Sequence, residues 1–459
     1  MTLIDNADSR PIHFMGIAGA GMSALAELLK SRGASVTGCD ITTDAATDLG
    51  RAGIAVSVGH DPDHVNGARA IVVTSAVPKD HPELQRARQD NIPVIRRAEA
   101  LGEAVSGGRL VAIAGTHGKT TTTVMTTEAL AAAGSHPTGL AGGRVAAWHG
   151  NLRLGDGTLF VVEADEYDRS FLALTPDVAT VTNVESDHLD IYADLADIRA
   201  AFELFISPAR TVVACADDAG ASTLSMPAGA ELMTYGVTNH DARLRAHEIM
   251  SVEGRIRFLV RLDGAEIGEL ALRVPGTHNV RNALAALGNG MAVGATLETL
   301  RAGLESFEGV ERRFQRLGAV RGVQVVDDYA HHPTEITATL DAARAAFPGR
   351  RLIAAFQPHL FTRTRDFADA FGSALARADL VFLAEIYPAR EKPLPGVTSA
   401  LVADALRKAG HVPEWVGERK ELAQALAATA REGDVVLTLG AGDITLTGTE
   451  LLQRLGAPS

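Results

Sequence analysis

Cysteine is scarce in this chain. Only two of its 459 residues are cysteines, Cys39 and Cys215, and they lie far apart without forming a Cys-x-x-Cys pair. This usage does not support a disulfide framework, and it indicates a reducing compartment.

Long apolar runs are also missing, and so is any excess of positive charge. No stretch approaches the roughly 18 apolar residues that a membrane-spanning helix needs, and the opening MTLIDNADSR lacks the apolar segment of a signal peptide. Acidic residues outnumber basic ones by 56 to 43, which gives a net charge of -13. We therefore expect a cytoplasmic protein whose main task involves neither a membrane nor nucleic acid.

The chain does contain enough apolar material for several cores. Hydrophobic residues make up 46% and charged residues 22%, as is typical of globular proteins. The length predicts about three domains. Because short apolar strands alternate with helical segments along the chain, the fold class is expected to be α/β.

The most informative stretch is 110–123, read as LVAIAGTHGKTTTT. An apolar strand leads through glycines into Gly-Lys-Thr and a helix, which turns backbone N–H groups toward one point and suits a phosphate. Lys119 would add a point charge, and the hydroxyl of Thr120 is placed to bind magnesium. The usual phosphate-loop pattern has a glycine where this chain has Ile113, so the loop is the shorter 115–120. The alternative is an ordinary strand-to-helix turn.

A second glycine-rich turn follows the first predicted strand, 12–15. Its glycines are Gly16, Gly19 and Gly21. The next strand, 36–39, ends beside Asp40 and completes a βαβ unit. The spacing Gly-x-x-Gly-x-Gly differs from the dinucleotide fingerprint, so a phosphate-bearing ligand, NAD and a structural turn all remain open. Ser75 follows strand 70–74, at the sheet edge where such folds bind ligands. Asp40 is either a ligand contact or a solvated acid.

Two acidic clusters follow the predicted strands 159–162 and 178–181. If these strands are parallel, both clusters lie at the sheet edge that carries the phosphate loop. Magnesium prefers hard oxygen ligands, so Glu163, Thr120 and phosphate oxygens form the natural set. His188 would be an unusual magnesium ligand, and we expect it beside the metal or against a substrate.

Two further stretches of the middle segment carry structural predictions. Residues 232–274 alternate in a strand-like way, with Asp263-Gly264 as a hairpin turn, and predict an antiparallel flap. The glycine-rich 139–144 is predicted to be flexible.

A helix is predicted from about 280 to 288. Asn279 is suited to cap its start. Capping does not explain His278, or Asn282 on the same helical face as Asn279.

The last segment is predicted to be another doubly wound α/β domain. Its strands are predicted at 323–326, 352–356, 380–384 and 435–439. Polar groups follow three strand ends, in the stretches 327–333, 357–359 and 440–442. Predicted linkers at 106–108 and 307–314 divide the chain into domains 1–106, 107–308 and 309–459.

Several motifs together resemble one family, the Mur ligases of peptidoglycan synthesis. They are GTHGKTTT, EADEYDRSF, TNVESDHLDIY, GTHNVRNALAA, VERRF, DDYAHHPTE and FQPHLFTRTRD, in the family's order and spacing. The resemblance covers essentially the whole chain. It implies three domains that bind a UDP-sugar, ATP and an amino acid: a Rossmann-like N-terminal domain, a phosphate-loop central domain with an antiparallel flap, and a doubly wound C-terminal domain.

The resemblance also implies an activity. GIAGAGMS, QPHLFTRTRD and YPAREKP point to ATP-dependent, ADP-forming ligation of L-alanine to the lactyl carboxylate of UDP-N-acetylmuramate through an acyl phosphate. A monomer or weak homodimer is expected. The alternative within the family is a recycling ligase that joins a tripeptide to the same sugar. Outside it, an NAD-dependent oxidoreductase leaves the Gly-Lys-Thr loop unexplained, and a nucleotide switch leaves the third domain's His and Arg residues unexplained.

Site residues carried over by this resemblance fall into five groups. Those implied in catalysis are Lys119, Glu163, His188 and Arg313. Those implied to bind ATP are Gly115, Thr116, His117, Gly118, Lys119, Thr120, Thr121, His278, Asn279, Asn282 and Asp328. The UDP-sugar would contact Gly16, Gly19, Gly21, Asp40 and Ser75. The L-alanine carboxylate would contact His359 and Arg363, with His331 nearby, although Leu360 stands where some family members have arginine. Magnesium would bind Thr120, Glu163 and His188.

Overall fold

The computed structural model describes residues 3–4, 7–42, 46–74, 76–188, 191–252 and 254–457. Ser75, an expected UDP-sugar contact, lies outside the described residues. Three β-sheets with flanking helices form an α/β architecture. The chain divides into two compact units: Met1–Glu248 with Phe258–Leu270 and Arg281–Phe307, and Ile249–Arg257 with Ala271–Val280 and Glu308–Ser459.

The first sheet is parallel, in the order β3-β2-β1-β4-β5. Its strands are β1 (Ile12–Met15), β2 (Val36–Asp40), β3 (Ala55–Val58), β4 (Ala70–Val73) and β5 (Val94–Arg96). Its helices are α1 (Ala20–Ser31), α2 (Ala46–Arg51), α3 (Pro82–Gln89) and α4 (Arg97–Val105), with a 3-10 helix at Pro62–Val65. The three strands predicted here, at 12–15, 36–39 and 70–74, are confirmed to within one residue at each end.

The second sheet has the order β15-β14-β13-β12-β11-β10-β6-β9-β7-β8. Its strands are β6 (Arg109–Ala114), β7 (Thr138–Val145), β8 (Gly150–Arg153), β9 (Leu159–Glu163), β10 (Val178–Val181), β11 (Thr211–Cys215), β12 (Glu231–Gly236), β13 (Leu244–Val252), β14 (Arg255–Leu262) and β15 (Ala265–Leu272). The accompanying helices are α5 (Lys119–Ala132), α6 (Leu195–Ile206), α7 (Ala219–Ser222), α8 (Thr277–Ala292) and α9 (Leu297–Ser306), with 3-10 helices at Ala146–Trp148 and Tyr167–Ala173. Strands β6, β9 and β10 are parallel neighbours, so their carboxyl ends meet at one edge.

Two predictions for the middle segment need correction. The flap does not include β12, which pairs in parallel with both β11 and β13. The predicted hairpin at Asp263-Gly264 is confirmed, and both residues have positive φ. Residues 139–144 are part of strand β7, not a flexible loop. Glycine is required there because a Cβ at Gly139 would lie 2.6 Å from the Thr127 side chain.

The third sheet has the order β16-β17-β21-β18-β19-β20, and only β16 is antiparallel to its neighbour. Its strands are β16 (Gln315–Val320), β17 (Val323–Asp328), β18 (Leu352–Phe356), β19 (Leu380–Ala384), β20 (Trp415–Gly417) and β21 (Val435–Leu439). Its helices are α10 (Pro333–Ala346), α11 (Phe361–Leu375), α12 (Ala400–Lys408), α13 (Arg419–Thr429) and α14 (Thr445–Gly456). Successive residues of β18 enter apolar cores on opposite faces, which confirms a doubly wound domain.

The predicted linker at 307–314 is not an exposed connection. Phe307, Val310 and Phe314 are all buried. Elsewhere, both cysteines are buried free thiols. Among the residues that the structure describes, no helix is long and apolar enough to cross a membrane.

Candidate functional site

The phosphate loop joins the end of β6 to the start of α5. Its two glycines have positive φ, +140° at Gly115 and +81° at Gly118. A Cβ at Gly115 would lie 1.9 Å from Thr182 Oγ1, and one at Gly118 would lie 2.7 Å from Asn282 Oδ1. Both backbone conformation and close packing therefore require glycine at these two positions.

The segment after β10 holds this loop in place. The backbone N–H of His117 donates to Asn183 Oδ1 at 2.7 Å, and Thr182 Oγ1 donates to the His117 carbonyl at 2.6 Å. The Thr116 hydroxyl accepts from the backbone N–H of Glu185 at 2.9 Å. A backbone fixed in this way can present its N–H groups to an anion without reorganising.

Lys119 points back over the loop from the first residue of α5. Its Nζ donates to the Gly115 carbonyl at 2.7 Å and lies 2.9 and 2.7 Å from the two carboxylate oxygens of Glu166. Burial alone would lower the pKa of Lys119, but the charges of Glu166 and Asp165 outweigh it and raise that pKa above its ordinary value. Lys119 is therefore a permanent cation. The sequence did not single out Glu166, because three carboxylates fall within 163–166.

Glu163 and Thr120 form a pair of oxygen ligands beside the loop. Thr120 Oγ1 donates to Glu163 Oε1 at 3.0 Å, and the backbone N–H of Gly142 donates to Glu163 Oε2 at 2.5 Å. Burial raises the pKa of Glu163, against the opposing effect of Lys119. A partly buried carboxylate next to a hydroxyl is a hard oxygen donor set, which fits magnesium. Gly142 has to be glycine, since a Cβ there would lie 2.6 Å from Glu163 Oε1.

His188 lies beside Glu166, the carboxylate that contacts Lys119. Its Nε2 is 3.6 Å from Glu166 Oε1, and its ring contacts Tyr167 at a centroid distance of 5.1 Å. Burial would raise the pKa of Glu166, but Lys119 and His188 lower it below its ordinary value. His188 is thus placed against Glu166, the partner of Lys119.

The start of α8 lies earlier than predicted. The helix begins at Thr277, so Asn279 is inside its first turn and does not cap it. The Asn279 amide donates instead to the Pro275 carbonyl at 2.7 Å, and His278 lies in the same first turn. Asn282 reaches the phosphate-loop helix, because its Oδ1 accepts from Thr122 Oγ1 at 3.3 Å.

The first glycine-rich turn contains an acid rather than a cation. Asp40 is buried, and it accepts from the backbone N–H of Ala18 at 2.8 Å and of Thr42 at 3.0 Å. The solvated-acid alternative for Asp40 is therefore wrong. Gly16 has φ +77°, and a Cβ added there would meet open space, whereas a Cβ at Gly21 would lie 2.7 Å from Arg97 Nη1.

In the unit that contains the third sheet, Asp328 is held by backbone donors at the end of β17. Its oxygens accept from the N–H groups of Phe314 at 2.7 Å and Ala330 at 2.8 Å. Burial raises the pKa of Asp328 to about 6, despite the nearby charge of Arg313. Arg313 itself lies over the Tyr329 ring, 5.0 Å from its centroid.

The expected amino-acid contacts follow the carboxyl ends of β17 and β18, two strands of the same sheet that are separated by β21. The rings of His331 and His359 are 6.0 Å apart, and His359 also stacks on Tyr387. Arg363 lies in the first turn of α11 and is buried. Leu360, directly before this helix, has φ +69° and a buried side chain, so it occupies a structural position.

Family models match most of the chain. The Mur ligase family catalytic domain matches residues 11–109, the Mur ligase middle domain 113–290, and the Mur ligase glutamate ligase domain 312–442. These ranges correspond to the three sheets.

Individual relatives match over nearly their full length. The chain is 43% identical to the UDP-N-acetylmuramate--L-alanine ligase of Salinibacter ruber, over 97% of this chain and 95% of that protein. The crystal structure of UDP-N-acetylmuramate-alanine ligase from Thermotoga maritima superposes with a TM-score of 0.84 at 32% identity, covering 97% and 99% of the two chains. The murein peptide ligase of Psychrobacter arcticus gives a TM-score of 0.73 at 25% identity, covering 98% and 99%. On this evidence the chain belongs to the Mur ligase family.

Proposed function

We propose that this chain ligates L-alanine to the lactyl carboxylate of UDP-N-acetylmuramate in peptidoglycan synthesis, with hydrolysis of ATP to ADP and phosphate. The observation that carries the proposal is the partly buried Lys119 at the phosphate loop, with the Thr120–Glu163 pair beside it. The choice of L-alanine rests on the full-length similarity to ligases named for that amino acid.

The reaction needs an activated carboxyl group, since a carboxylate is a poor electrophile. A lactyl carboxylate oxygen attacks the γ-phosphorus of ATP, and the bond to the ADP oxygen breaks. The amine of L-alanine then attacks the carbonyl carbon of the acyl phosphate. Phosphate leaves, the nitrogen releases its proton, and an amide remains.

Lys119 is assigned to the ATP phosphates. Its Nζ is held over the loop by Gly115 and Glu166, so its charge is in place before ATP binds. Such a fixed charge stabilises the negative charge that grows on the phosphate oxygens in the transition state. Glu166 acts through Lys119 and is a positioning residue.

Magnesium is assigned to Thr120 and Glu163, whose oxygens form a suitable donor set. When bound there, the ion would neutralise phosphate oxygens. His188 is assigned beside the ion rather than as a direct ligand, because its Nε2 faces Glu166 and imidazole is a poor ligand for magnesium.

The remaining assignments divide the substrates among three domains, with boundaries at 106/107 and 308/309. Gly16, Gly19, Gly21, Asp40 and Ser75 are assigned to the UDP-sugar. The rest of the phosphate loop with His278, Asn279, Asn282, Arg313 and Asp328 is assigned to ATP. His331, His359 and Arg363 are assigned to the alanine carboxylate. A cytoplasmic location, and a monomer or weak homodimer, are part of the proposal.

The decisive experiment measures phosphate release from ATP in the presence of magnesium and UDP-N-acetylmuramate. L-alanine, serine, glycine and the tripeptide are supplied in turn, and the products are identified by mass spectrometry. We expect release that requires the UDP-sugar and is fastest with L-alanine, with a product one alanine residue heavier. Faster release with the tripeptide would assign the chain to the recycling reaction, and release without UDP-sugar would contradict both.

A further inference from the structure

A buried group of four potential metal ligands lies beneath the first sheet. It consists of His13, Cys39, His64 and Glu83, whose ligand atoms all lie within 4.8 Å of one another. We call it the His-Cys-Glu cluster. None of its members is assigned to a substrate in the proposed reaction, so its chemistry needs a separate explanation.

Sheet register brings the first two ligands to one face. His13 of β1 pairs with Thr37 of β2, and Met15 pairs with Cys39. Because alternate residues of a strand share a face and paired residues lie side by side, His13 and Cys39 point the same way. Cys39 and Met15 pack into the apolar core on that face together with Leu84.

The other two ligands come from the elements that cover this face. His64 lies in the 3-10 helix Pro62–Val65, and Glu83 lies in the first turn of α3. Glu83 is fully buried, whereas the His64 side chain is 22% exposed. The cluster is therefore enclosed by protein but has a route to solvent past His64.

Three of the six distances between the ligand atoms are close to those of a tetrahedral zinc site. His13 Nε2 is 3.3 Å from Cys39 Sγ, which is 3.4 Å from Glu83 Oε1. His64 Nδ1 is 3.1 Å from the same Glu83 oxygen. Zinc bonds of about 2.0–2.3 Å correspond to edges of roughly 3.3–3.8 Å between ligands in a tetrahedron. The other three distances are at most 4.8 Å, so the ligands would draw closer together on binding the ion.

Neighbouring side chains orient two of these ligands. His13 Nδ1 lies 3.0 Å from Thr37 Oγ1, which leaves Nε2 facing the cluster. The second oxygen of Glu83 faces His60 Nδ1 at 3.3 Å and His81 Nδ1 at 3.9 Å. Orientation of metal ligands by such outer hydrogen bonds is a common property of zinc sites.

We propose that His13, Cys39, His64 and Glu83 bind one zinc ion as a structural site of the first domain. Thiolate and imidazole ligands favour zinc over the hard cation magnesium. Four protein ligands leave no open position for a substrate, as in structural rather than catalytic sites. The ion would also bridge the elements that cover the face, and burying polar ligands in an apolar core is costly unless they are paired.

Cobalt(II) provides the direct test, because a bound thiolate gives it a sulfur-to-metal charge-transfer absorption. Metal-free, reduced wild-type protein is titrated with Co²⁺ without nucleotide, and Zn²⁺ is then added. We expect a charge-transfer band that saturates at one equivalent and is abolished by zinc. A wild-type protein without this band would overturn the proposal, whatever the variants do.

The two cysteines supply a matched pair of variants, since both are buried. We expect Cys39→Ser to lose the band and Cys215→Ser to keep it. The reverse result would place the metal elsewhere. If Cys39→Ser does not fold, X-ray absorption of the zinc-loaded wild-type protein decides, with one sulfur and the remaining nitrogen or oxygen ligands expected. A zinc coordination shell without sulfur would contradict the proposed site.

Thr37→Val tests the orienting hydrogen bond and keeps the side-chain shape. We expect the zinc affinity, measured by competition with a chromogenic chelator, to fall about 10- to 100-fold. The charge-transfer band should remain at saturating cobalt. An unchanged zinc affinity would remove His13 from the ligand set and overturn the four-ligand site.

Discussion

The glycine-rich turns after β1 and β6 each connect a parallel strand to a helix, but a carboxylate organises the first and an ammonium group the second. After β1, the turn is organised by the carboxylate of Asp40, which accepts from the backbone N–H of Ala18. After β6, the turn is organised around the ammonium group of Lys119, which is held by Glu166. The backbone pattern is shared, but the electrostatic environment offered to a ligand is not.

The glycines of the two turns differ as well. Gly16 and Gly118 have nearly the same φ, +77° and +81°. Space is open around a Cβ at Gly16, whereas one at Gly118 would press on Asn282. The first turn has room left at Gly16, although its Gly21 is packed against Arg97, and the second turn is packed by Thr182 and Asn282. Glycine spacing alone therefore does not identify which turn performs phosphoryl transfer.

Lys119→Ala removes the cation that distinguishes the second turn, and we expect the largest effect from it. Loss of one fixed donor to a transition state typically costs about 100- to 1000-fold in rate, and a phosphate-loop cation belongs at the upper end. Phosphate release and product formation, each measured with saturating substrates, provide the check. Lys420→Ala, at an exposed lysine, should keep full activity.

A complication is that Lys119→Ala leaves Glu166 buried without its cation, which can destabilise the fold. The double variant Lys119→Ala/Glu166→Gln removes that charge and should fold but remain inactive. Wild-type activity in either variant would contradict the assignment of the phosphate loop.

Asp328, like Asp40, is a buried acid held by two backbone N–H groups. The ionisation of Asp328 affects the free energy of unfolding. The folded chain keeps a proton on Asp328 up to about pH 6, whereas the unfolded chain releases it near the ordinary value of 3.8. The folded state therefore binds more protons in this window, and the free energy of unfolding falls as the pH rises through it. Complete ionisation corresponds to about 3 kcal/mol.

Asp328→Asn cannot ionise, so we expect its unfolding free energy to lack this contribution. We compare the two proteins by denaturant unfolding at pH 4, 5, 6 and 7. The free energy of unfolding of the wild type minus that of the variant should decrease as the pH rises. A difference that is constant over this range would show that Asp328 ionises in the folded protein with an ordinary pKa.

Strand positions could be predicted from the sequence, but most contacts between side chains could not. β10 and β18 were predicted to the residue, because short and mainly apolar runs bounded by polar residues permit little else. The role of Glu166 was missed, since the segment after β9 is irregular and has no periodicity to indicate which acid points inward. The resemblance to Mur ligases supplied Asn282, whose proximity to the phosphate loop depends on a contact across 160 residues.

The His-Cys-Glu cluster was missed for the same reason. Its ligands come from four separate elements between residues 13 and 83, with none of the short spacings that mark a metal motif. The glycines of β7 were predicted to make residues 139–144 flexible. Glycine also occurs where packing is close, and the sequence pattern does not distinguish the two cases. Only the structure shows Gly139 against Thr127 and Gly142 against Glu163.

The pair Gly118→Ala and Gly16→Ala compares a crowded turn with an open one. A left-handed alanine costs roughly 1–2 kcal/mol at either site, and overpacking adds about 1–3 kcal/mol only at Gly118. We expect Gly118→Ala to be less stable by about 2 kcal/mol in thermal or denaturant unfolding.

The KM values for the substrates also distinguish these two variants. Gly16→Ala should raise the KM for the UDP-sugar and leave the KM for ATP unchanged, because the added methyl group occupies space reserved for that ligand. Equal stability of the two variants would show that Asn282 moves aside easily. An unchanged KM for the UDP-sugar would remove Gly16 from its binding site.

Arg363 is a buried cation that can be compared with the partly buried Lys119, and a smaller effect is expected from its loss. The L-alanine carboxylate carries its charge in the ground state as well as in the transition state, so the proposed contact with Arg363 would contribute mainly to binding. Arg363→Ala should raise the KM for L-alanine about tenfold or more, corresponding to about 1.4 kcal/mol, and leave the KM for ATP near its wild-type value. Arg365→Ala is the matched control, because this side chain is exposed and paired with Asp366 at 2.7 Å. If Arg365→Ala raises the KM for L-alanine and Arg363→Ala does not, the carboxylate is bound by the exposed arginine, and the buried Arg363 takes no part in binding it.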